Sequence, residues 1–406
     1  MATPSRDRAQ LHRTLAAAIT LPTALGVALG GCSPAQTPSA KPASPAAGAA
    51  ATPGVPGSAA PLANQVPAAP AQAACNVESL PLRDKLAQLL MVGVRNAGDA
   101  KAVVADNHVG GIFIGSWTDK SMLTDGSLGD IAAAAGPLAL AVSVDEEGGR
   151  VSRLAGLIGS QPSPRVLAQT MTPQQVHDIA FARGQKMRGM GITVDFAPVA
   201  DVTTESDDEV IGDRSFGSDP ATVTTYAGAY AQGLRDAGVL PVLKHFPGHG
   251  HASGDSHTGG VTTPPVGDLQ NNDLVPYRTL TTEGPVAVMV GHMQVPGLTD
   301  GDPASLSPAA YNLLRGGGYG GPPFGGVVFT DDLSSMGAIN QRYGVAEAVL
   351  RALQAGADVA LWVSTGEVPA VLDRLESAVN SGELSAQRVE DSVTKLVGMK
   401  GTNPHC

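Results

Sequence analysis

The chain has 406 residues, of which 43% are hydrophobic and 16% are charged, and its formal net charge is −11 at pH 7. This acidic balance argues against nucleic acids and anionic surfaces as electrostatic partners. The length leaves room for one large domain with an ample hydrophobic core.

An N-terminal leader, residues 1–31, is predicted to lie outside the fold. Three arginines precede an uncharged, largely apolar run from Thr14 to Gly31, which is typical of a secretory signal. The sequence Leu-Gly-Gly-Cys ending at Cys32 resembles a bacterial lipobox, in which the cysteine becomes the lipidated first residue. A transmembrane anchor and an ordinary signal peptide are the alternatives, and Pro22 weakens the first of them. We therefore expect lipidation at Cys32 and a lipid anchor at the extracytoplasmic face of the cell membrane.

A tether follows the leader, so that residues 32–74 comprise the lipidated cysteine and a segment rich in Pro, Ala, Gly, Ser and Thr. Nothing in this segment can bury a core. The other two cysteines, Cys75 and Cys406, bracket the rest of the chain. Two thiols at the ends of one extracytoplasmic domain favour a disulfide, and a frayed, unpaired C-terminal cysteine is the alternative. Residues 75–406 are predicted to be the folded domain.

Between these cysteines, short apolar strand patterns alternate with longer helical patterns. The strand patterns cover residues 89–94, 109–115, 138–144, 192–197, 239–244, 286–291, 326–330 and 358–363. The helical patterns cover residues 99–107, 174–189, 219–237, 307–314 and 343–355. Eight buried strands alternating with helices predict an α/β fold, a (β/α)8 barrel of the TIM type. A doubly wound sheet is the alternative, but no GxGxxG follows the first strand.

Polar residues follow five of the predicted strands, at the point where each strand ends. They are residues 145–150, residues 195–201, Lys244 with His245, His292, and Asp331 with Asp332. A single aspartate after a strand is explained equally well by helix capping, but agreement among five strand ends is not. Because active sites of such barrels lie at this C-terminal face, the chain is predicted to be an enzyme.

The segment 244–257, KHFPGHGHASGDSH, contains four of the nine histidines of the chain. It follows an apolar run and has no apolar periodicity, so it is predicted to be a polar loop at a strand end. Three imidazoles and a carboxylate would satisfy zinc. A Pro-Gly turn carries these histidines, however, and no regular helix face gathers them, so no metal is expected.

These motifs together resemble the family 3 glycoside hydrolases. The matching segments are KHFPGHG followed by DSH, VDEEGGRVSRL, IGDRSF and FTDDLSSMGA, within residues 80–397. More narrowly, the chain resembles the β-N-acetylglucosaminidase branch of that family, in its bacterial lipoprotein form. That branch trims N-acetylglucosamine from peptidoglycan fragments and commonly consists of the barrel alone. The resemblance thus implies a single catalytic domain that uses no cofactor.

The resemblance also implies the catalytic residues. Asp331 matches the nucleophile, and Asp332 is expected to be structural, because adjacent strand residues point to opposite sides. An aspartate nucleophile implies a covalent glycosyl-enzyme and retention of configuration. Asp255 and His257 match an acid/base dyad in which His257 protonates the glycosidic oxygen. The loop that carries this dyad is expected to be mobile and to close over the substrate.

Five residues match the sugar-binding positions of the family, and their charges suit hydroxyl recognition: Asp145, Arg153, Arg214, Lys244 and His245. Four more polar residues either support these groups or form ordinary loop ion pairs: Arg150, Asp195, Asp201 and His249. Glu146 stands where the family more often has Gln, and the match at Ser335 is loose.

The sequence thus predicts a monomer that acts as a retaining exo-β-N-acetylglucosaminidase in the cell envelope and releases terminal N-acetylglucosamine from muropeptides. A β-glucosidase or a phosphorylase of the same family is an alternative, since a histidine acid/base leaves the site less anionic and lets phosphate compete with water. Assistance by the acetamido oxygen of the substrate competes with the covalent route. A non-catalytic sugar-binding lipoprotein would have lost Asp331, Asp255 or His257, and all three are present.

Overall fold

A computed structural model describes residues 79–136 and 138–401 of the chain. The predicted leader, the lipidation site Cys32, the tether and the Cys75–Cys406 bridge lie outside these residues, so they stay predictions. Within the described part, no helix is both long enough and apolar enough to cross a membrane.

The described residues contain ten strands, eight of which form one parallel sheet. The strands are β1 (Leu90–Gly93), β2 (Gly111–Ile114), β3 (Ala141–Val144), β4 (Glu146–Gly148), β5 (Val151–Ser152), β6 (Val194–Asp195), β7 (Leu240–Phe246), β8 (Ala287–Val290), β9 (Val328–Thr330) and β10 (Ala360–Trp362). The parallel order is β10-β1-β2-β3-β6-β7-β8-β9. A parallel bridge from Phe329 to Val359 joins β9 to the segment before β10. The sheet closes on itself, and the predicted barrel is confirmed.

Helices flank the sheet, and fourteen of them lie in the described residues. They are α1 (Leu82–Gln88), α2 (Ala97–Asn107), α3 (Ser127–Ala133), α4 (Ala155–Ile158), α5 (Pro164–Thr170), α6 (Pro173–Gly189), α7 (Pro220–Asp236), α8 (Val266–Asn271), α9 (Val275–Leu280), α10 (Pro308–Arg315), α11 (Gly337–Asn340), α12 (Val345–Ala355), α13 (Val368–Ser381) and α14 (Ala386–Lys400). All five predicted helices are present. Two long helices, α13 and α14, were missed, although the buried positions of α13 recur at helical spacing.

The longest helices begin where local chemistry starts them. Thr172 caps α6 through a capping box with Gln175, and Asp219 caps α7 by accepting from the amide of Thr222. The two helices pack closely because Gly233 lies against α6, where a Cβ atom would come within 2.4 Å of the His177 carbonyl oxygen. This pair of helices covers the barrel beside β6 and β7.

Aromatic side chains fill the interior of the barrel beneath the C-terminal ends of the strands. Phe113, Phe196 and Phe329 are buried and contact one another in sequence, with ring centroids 5.7 and 5.5 Å apart. Below them, at the opposite end of the barrel, the buried carboxylate of Asp358 pairs with Arg388 and Lys395. The charges at that end are structural, which leaves the C-terminal end for chemistry.

Candidate active site

A cavity of about 340 Å³ lies at the C-terminal end of the barrel. Seven of the eight side chains predicted to bind substrate or to act in catalysis line it: Asp145, Arg153, Arg214, Lys244, His245, His257 and Asp331. The eighth, Asp255, is hydrogen-bonded to His257. The fold thus brings together residues that are spread over nearly two hundred positions of the chain.

Asp331 follows β9 directly and projects into the cavity as a half-buried carboxylate. Its Oδ1 accepts from the amide of Asp332 at 2.9 Å. Burial opposes ionisation, but the imidazoles of His292 and His245, this amide and the Lys244 ammonium outweigh it and lower the pKa of Asp331 to about 2. The carboxylate is therefore ionised at neutral pH.

Asp332 is turned toward its own loop. Its two carboxylate oxygens accept from the amides of Ser334 and Ser335, at 2.8 and 3.1 Å. Its carbonyl oxygen accepts at 2.8 Å from Nε2 of the buried His292. Burial lowers the pKa of His292, and its Nδ1 is hydrogen-bonded to the Ser305 hydroxyl at 2.7 Å. This chain of hydrogen bonds fixes the backbone that positions Asp331.

A buried cluster of alternating charges forms one wall of the cavity. Nζ of Lys244 lies 2.6 Å from both Asp145 and Glu147, and Arg214 donates two hydrogen bonds of 2.8 Å to Glu147. Burial disfavours the ammonium, but Asp145 and Glu147 raise the pKa of Lys244. Burial likewise opposes ionisation of Glu147, yet Arg214 and Lys244 hold its pKa far below the usual range. The cluster presents both donors and acceptors, as recognition of sugar hydroxyls requires.

Asp201 organises the start of the histidine loop. Its Oδ2 accepts from Nδ1 of His245 at 2.7 Å, and its Oδ1 accepts from the amide of His249 at 2.7 Å. The side chain is fully buried, and although burial opposes ionisation, His245 and His249 lower its pKa. Gly250 lets the loop pass so close to Val202 that a Cβ atom would lie 2.0 Å from its carbonyl oxygen. Asp201 therefore supports the predicted sugar-binding His245 from behind.

The predicted dyad lies at the mouth of the cavity. Oδ1 of Asp255 accepts from Nδ1 of His257 at 2.6 Å and from its amide at 2.9 Å. Burial alone would raise the pKa of Asp255, but the hydrogen bonds from His257 outweigh burial, and the pKa of Asp255 is lowered. The His257 side chain is 60% exposed. With Nδ1 donating to the carboxylate, Nε2 is the ring atom left to meet a substrate.

The loop that carries the dyad is docked on α11, which follows the Asp331 segment. The carbonyl oxygens of Ser256 and His257 accept from the amides of Ala338 and Gly337, at 3.1 and 2.9 Å. The Gln341 side chain donates to the carbonyl of Thr258 at 3.1 Å. The predicted nucleophile and the predicted acid/base group are thus coupled through one short helix.

Two predicted arginines, Arg150 and Arg153, lie outside the charge cluster around Lys244. Arg150 donates to backbone carbonyls of residues 208–211 and pairs with Asp213 at 3.2 Å, so it holds that loop. Arg153 lines the cavity, and among the described residues its guanidinium has no hydrogen-bonding or ion-pair partner. Arg153 is therefore available to a ligand.

Two buried carboxyl groups sit behind the cavity wall. Glu146 accepts from the Leu154 amide and pairs with Arg183. Asp195 accepts from the amide of Glu146 at 2.9 Å, and burial raises its pKa well above the usual range. Both groups hold the β4–β5 hairpin in place.

The histidines of the 244–257 segment each have a partner of their own. His245 bonds Asp201, His249 bonds Ser256, His251 bonds Asp273 and His257 bonds Asp255. Across residues 79–136 and 138–401, no group of three or more His, Cys, Asp or Glu side chains is arranged to hold a metal ion.

Sequence reasoning missed several groups that line the cavity, among them Glu147, Phe113 and Trp117. Glu147 lies in the VDEEGG motif, but strand alternation alone does not say which of two adjacent glutamates faces inward. Phe113 and Trp117 also line the cavity. Both aromatic residues lie at the end of the strand predicted over residues 109–115, and this strand end has no charged side chain that would have marked it as part of the site.

Comparison with known proteins agrees with this geometry. Residues 81–399 match the model of the glycosyl hydrolase family 3 N terminal domain. Over 326 residues the chain is 71% identical to beta-hexosaminidase LpqI of Mycobacterium tuberculosis, covering 80% of this chain and 84% of that protein. A solved family 3 glycosyl hydrolase from Mycobacterium smegmatis is 77% identical with a TM-score of 0.79, covering 80% of this chain and 98% of that one.

A more distant solved structure has the same barrel. It is a family 3 beta-N-acetylglucosaminidase from Paenibacillus, 34% identical with a TM-score of 0.73, covering 79% of this chain and 62% of that one. Fold and site together define a barrel glycosidase. The chain belongs to glycosyl hydrolase family 3, and the predictions of an enzyme and of this family are confirmed.

Proposed function

We propose that the protein is a β-hexosaminidase that acts as a retaining exo-β-N-acetylglucosaminidase. The similarity of the chain to the beta-hexosaminidase LpqI supports the broader statement. The finer statement rests on the cavity, which brings together the ionised carboxylate of Asp331 and the carboxylate-supported imidazole of His257. In this proposal Asp331 attacks the anomeric carbon and His257 protonates the leaving oxygen.

The state of Asp331 is the observation that carries the proposal. A nucleophilic carboxylate must be ionised, accessible and held in position, and a pKa of about 2, the cavity location and the Asp332 amide meet these three requirements. The bond formed is the ester between Asp331 and the anomeric carbon, and the bond broken is the glycosidic one. Water then attacks the ester, with His257 as the base, and net configuration is retained.

The buried charge cluster is proposed to bind the terminal sugar. Asp145, Lys244 and Arg214 meet at the inner wall, and unpartnered Arg153 lies on the same cavity. The natural substrate in this proposal is a peptidoglycan fragment with terminal N-acetylglucosamine. The leader, Cys32 and the tether support it, because they predict a lipid-anchored protein in the cell envelope, where such fragments lie.

Covalent trapping tests the nucleophile. Incubation with a 5-fluoro N-acetylglucosaminyl fluoride should add one sugar to the peptide that contains Asp331, as measured by mass spectrometry of the digested protein. The Asp331→Asn variant should lose turnover by about a thousandfold or more while its circular dichroism spectrum is unchanged. Labelling of no residue, with turnover intact, would favour assistance by the acetamido oxygen.

A leaving-group series tests the acid role of His257. The His257→Ala variant should lose far more activity on alkyl glycosides, which need protonation, than on aryl glycosides with good leaving groups. Equal losses on both substrates would contradict the acid role.

Phosphorolysis is the second candidate, because the group at the acid/base position is an imidazole and not a carboxylate. Product analysis with and without phosphate separates the two reactions. Free N-acetylglucosamine in both samples supports hydrolysis, and N-acetylglucosamine 1-phosphate in the phosphate sample supports phosphorolysis.

A further inference from the structure

Trp117 stands out among the apolar side chains of the described residues. It is 47% exposed, and the other exposed large apolar side chains are Leu157 and Val166. Unlike those two, Trp117 lines the catalytic cavity. It also lines a second cavity of about 450 Å³, which we call the side groove and define by Arg95, Asp99, Trp117 and residues 363–367. The two cavities share Trp117 and Val363 as walls, so the side groove adjoins the catalytic cavity.

The indole of Trp117 is held in a fixed orientation. A Cβ atom at Gly115 would lie 2.5 to 2.6 Å from three carbons of its six-membered ring, so one face of the ring covers the Gly115 backbone. Phe113 contacts it edge-on at 5.9 Å between centroids. The hydroxyl of Thr118 accepts from the Gly115 amide at 3.0 Å and donates to the Val94 carbonyl at 2.6 Å. A rigid aromatic surface with solvent access binds flat ligands at low entropic cost.

Most of the other residues that line the side groove are polar. The Asp99 carboxylate holds Nε of Arg95 at 3.3 Å and accepts from the Thr365 hydroxyl at 2.7 Å. Ser364 donates to Glu367 at 2.7 Å. The Arg95 side chain is 75% exposed. An aromatic face in one groove with hydroxyl, carboxylate and guanidinium groups matches a pyranose ring, which has apolar C–H faces and a polar edge.

The side groove lies where the leaving group of the substrate is expected to extend. Val363 follows β10, which is the neighbour of β9 in the ring, and β9 carries Asp331. The inner wall is occupied by the buried cluster around Lys244, so the part of a substrate beyond the cleaved bond has to extend outward.

We propose that Trp117 and the side groove bind the sugar ring of the leaving group, with the indole stacked on a pyranose face. This inference rests on the proposed function, in which the terminal sugar occupies the cavity beside Asp331. It makes Trp117 a specificity-determining residue: substrates with a second sugar ring gain from it, and glycosides without one do not.

Tryptophan fluorescence tests the contact without turnover. The chain has two tryptophans, and the other one, Trp362, is fully buried. In the Asp331→Asn variant, N,N′-diacetylchitobiose should shift the emission to shorter wavelength in a saturable manner, whereas N-acetylglucosamine should change it little. Adding Trp117→Phe should abolish the shift. Equal responses to both sugars, or no response to the disaccharide, would overturn the proposal.

Kinetics provide the second readout. Trp117→Ala should lower kcat/KM for the disaccharide about tenfold, mainly through KM, which is the order of one lost aromatic contact with its buried area. Turnover of N-acetylglucosaminyl β-fluoride, whose leaving group has no ring, should change less than about twofold. Trp117→Phe should retain most activity, and Val166→Ala, at an exposed apolar position outside both cavities, should change neither substrate.

The outcomes separate this inference from the proposed function. A parallel loss on disaccharide and fluoride would show that Trp117 supports the reaction centre and would overturn the subsite. If the wild-type protein fails to turn over the fluoride, the proposed function fails, and the fluorescence result still decides whether Trp117 meets the second ring.

Discussion

The charge of Asp331 is set by its neighbours more than by its burial. Burial would raise the pKa of this carboxyl, and the imidazoles of His292 and His245 with the Asp332 amide and Lys244 lower it to about 2 instead. The folded pKa lies below the ordinary value of 3.8, so the nucleophile stays ionised as the pH falls until it approaches about 2.

The lowered pKa predicts that Asp331 is still labelled at unusually low pH. At pH 3, a carboxyl of pKa about 2 is about nine-tenths ionised, and one of ordinary pKa is about one-seventh ionised. The rate of labelling by a glycosyl fluoride, which needs no acid, should therefore stay within about twofold between pH 6 and pH 3. Brief pulses with circular dichroism as the check on folding measure this. A rate that halves near pH 4 would contradict the perturbed pKa.

Two adjacent glutamates offer a matched pair of substitutions. Glu147→Gln leaves Lys244 and Arg214 in a buried wall without their shared anion, and breaking such a pair costs about 3–5 kcal/mol. We expect a lower melting temperature together with a KM raised more than tenfold (about 1.4 kcal/mol).

Glu146→Gln is the control, because glutamine still accepts from the Leu154 amide. The Glu146 side chain faces Arg183, away from the cavity. Glu146→Gln should lower the melting temperature while KM stays nearly unchanged. A rise in KM equal to that of Glu147→Gln would show that the two faces of the hairpin are not distinct.

At the scale of elements, α11 links the two halves of the proposed catalytic machinery. Its first residue, Gly337, donates to the carbonyl of His257 at 2.9 Å. A Cβ atom at Gly337 would lie 2.6 Å from the carbonyl carbon of Thr258. A Cβ atom cannot approach backbone atoms that closely. A larger residue at Gly337 must therefore displace the loop that carries Asp255 and His257.

Gly337→Ala should therefore impair protonation selectively. We expect kcat/KM for alkyl N-acetylglucosaminides to fall about tenfold or more, and turnover of the β-fluoride to change little. Gly344→Ala is the matched control, since a Cβ atom there meets nothing within 4 Å. Similar losses on both substrates for Gly337→Ala would mean that the change had reached Asp331 as well.

At the scale of the whole molecule, the lipid anchor is a prediction that can be tested separately from the activity of the barrel. Cys32→Ala should move the protein from the membrane fraction to the soluble fraction and remove incorporation of labelled palmitate, both measured in cells that express the full chain. A fragment of residues 75–406 should keep kcat/KM on aryl β-N-acetylglucosaminide. Retention of the Cys32→Ala variant in membranes would favour a spanning leader over lipidation.

The sequence by itself determined the eight barrel strands and the strand ends at which polar residues gather. Eight apolar runs alternating with helical patterns are a local property, and so is the appearance of Lys244, His292 and Asp331 just past strand ends. The pairing of Asp255 with His257 was also readable, because residues two apart meet within one turn.

Only the tertiary structure decided which groups face one another. Lys244 meets Asp145 across 99 positions of the chain, and that contact depends on barrel closure and register. In the β4–β5 hairpin, Glu147 faces the cavity and Glu146 does not. The arrangement of β1, β2 and β10 places Trp117 between two cavities. Periodicity specifies alternation along a strand, but the partner of a side chain is fixed by packing between segments that are distant in sequence.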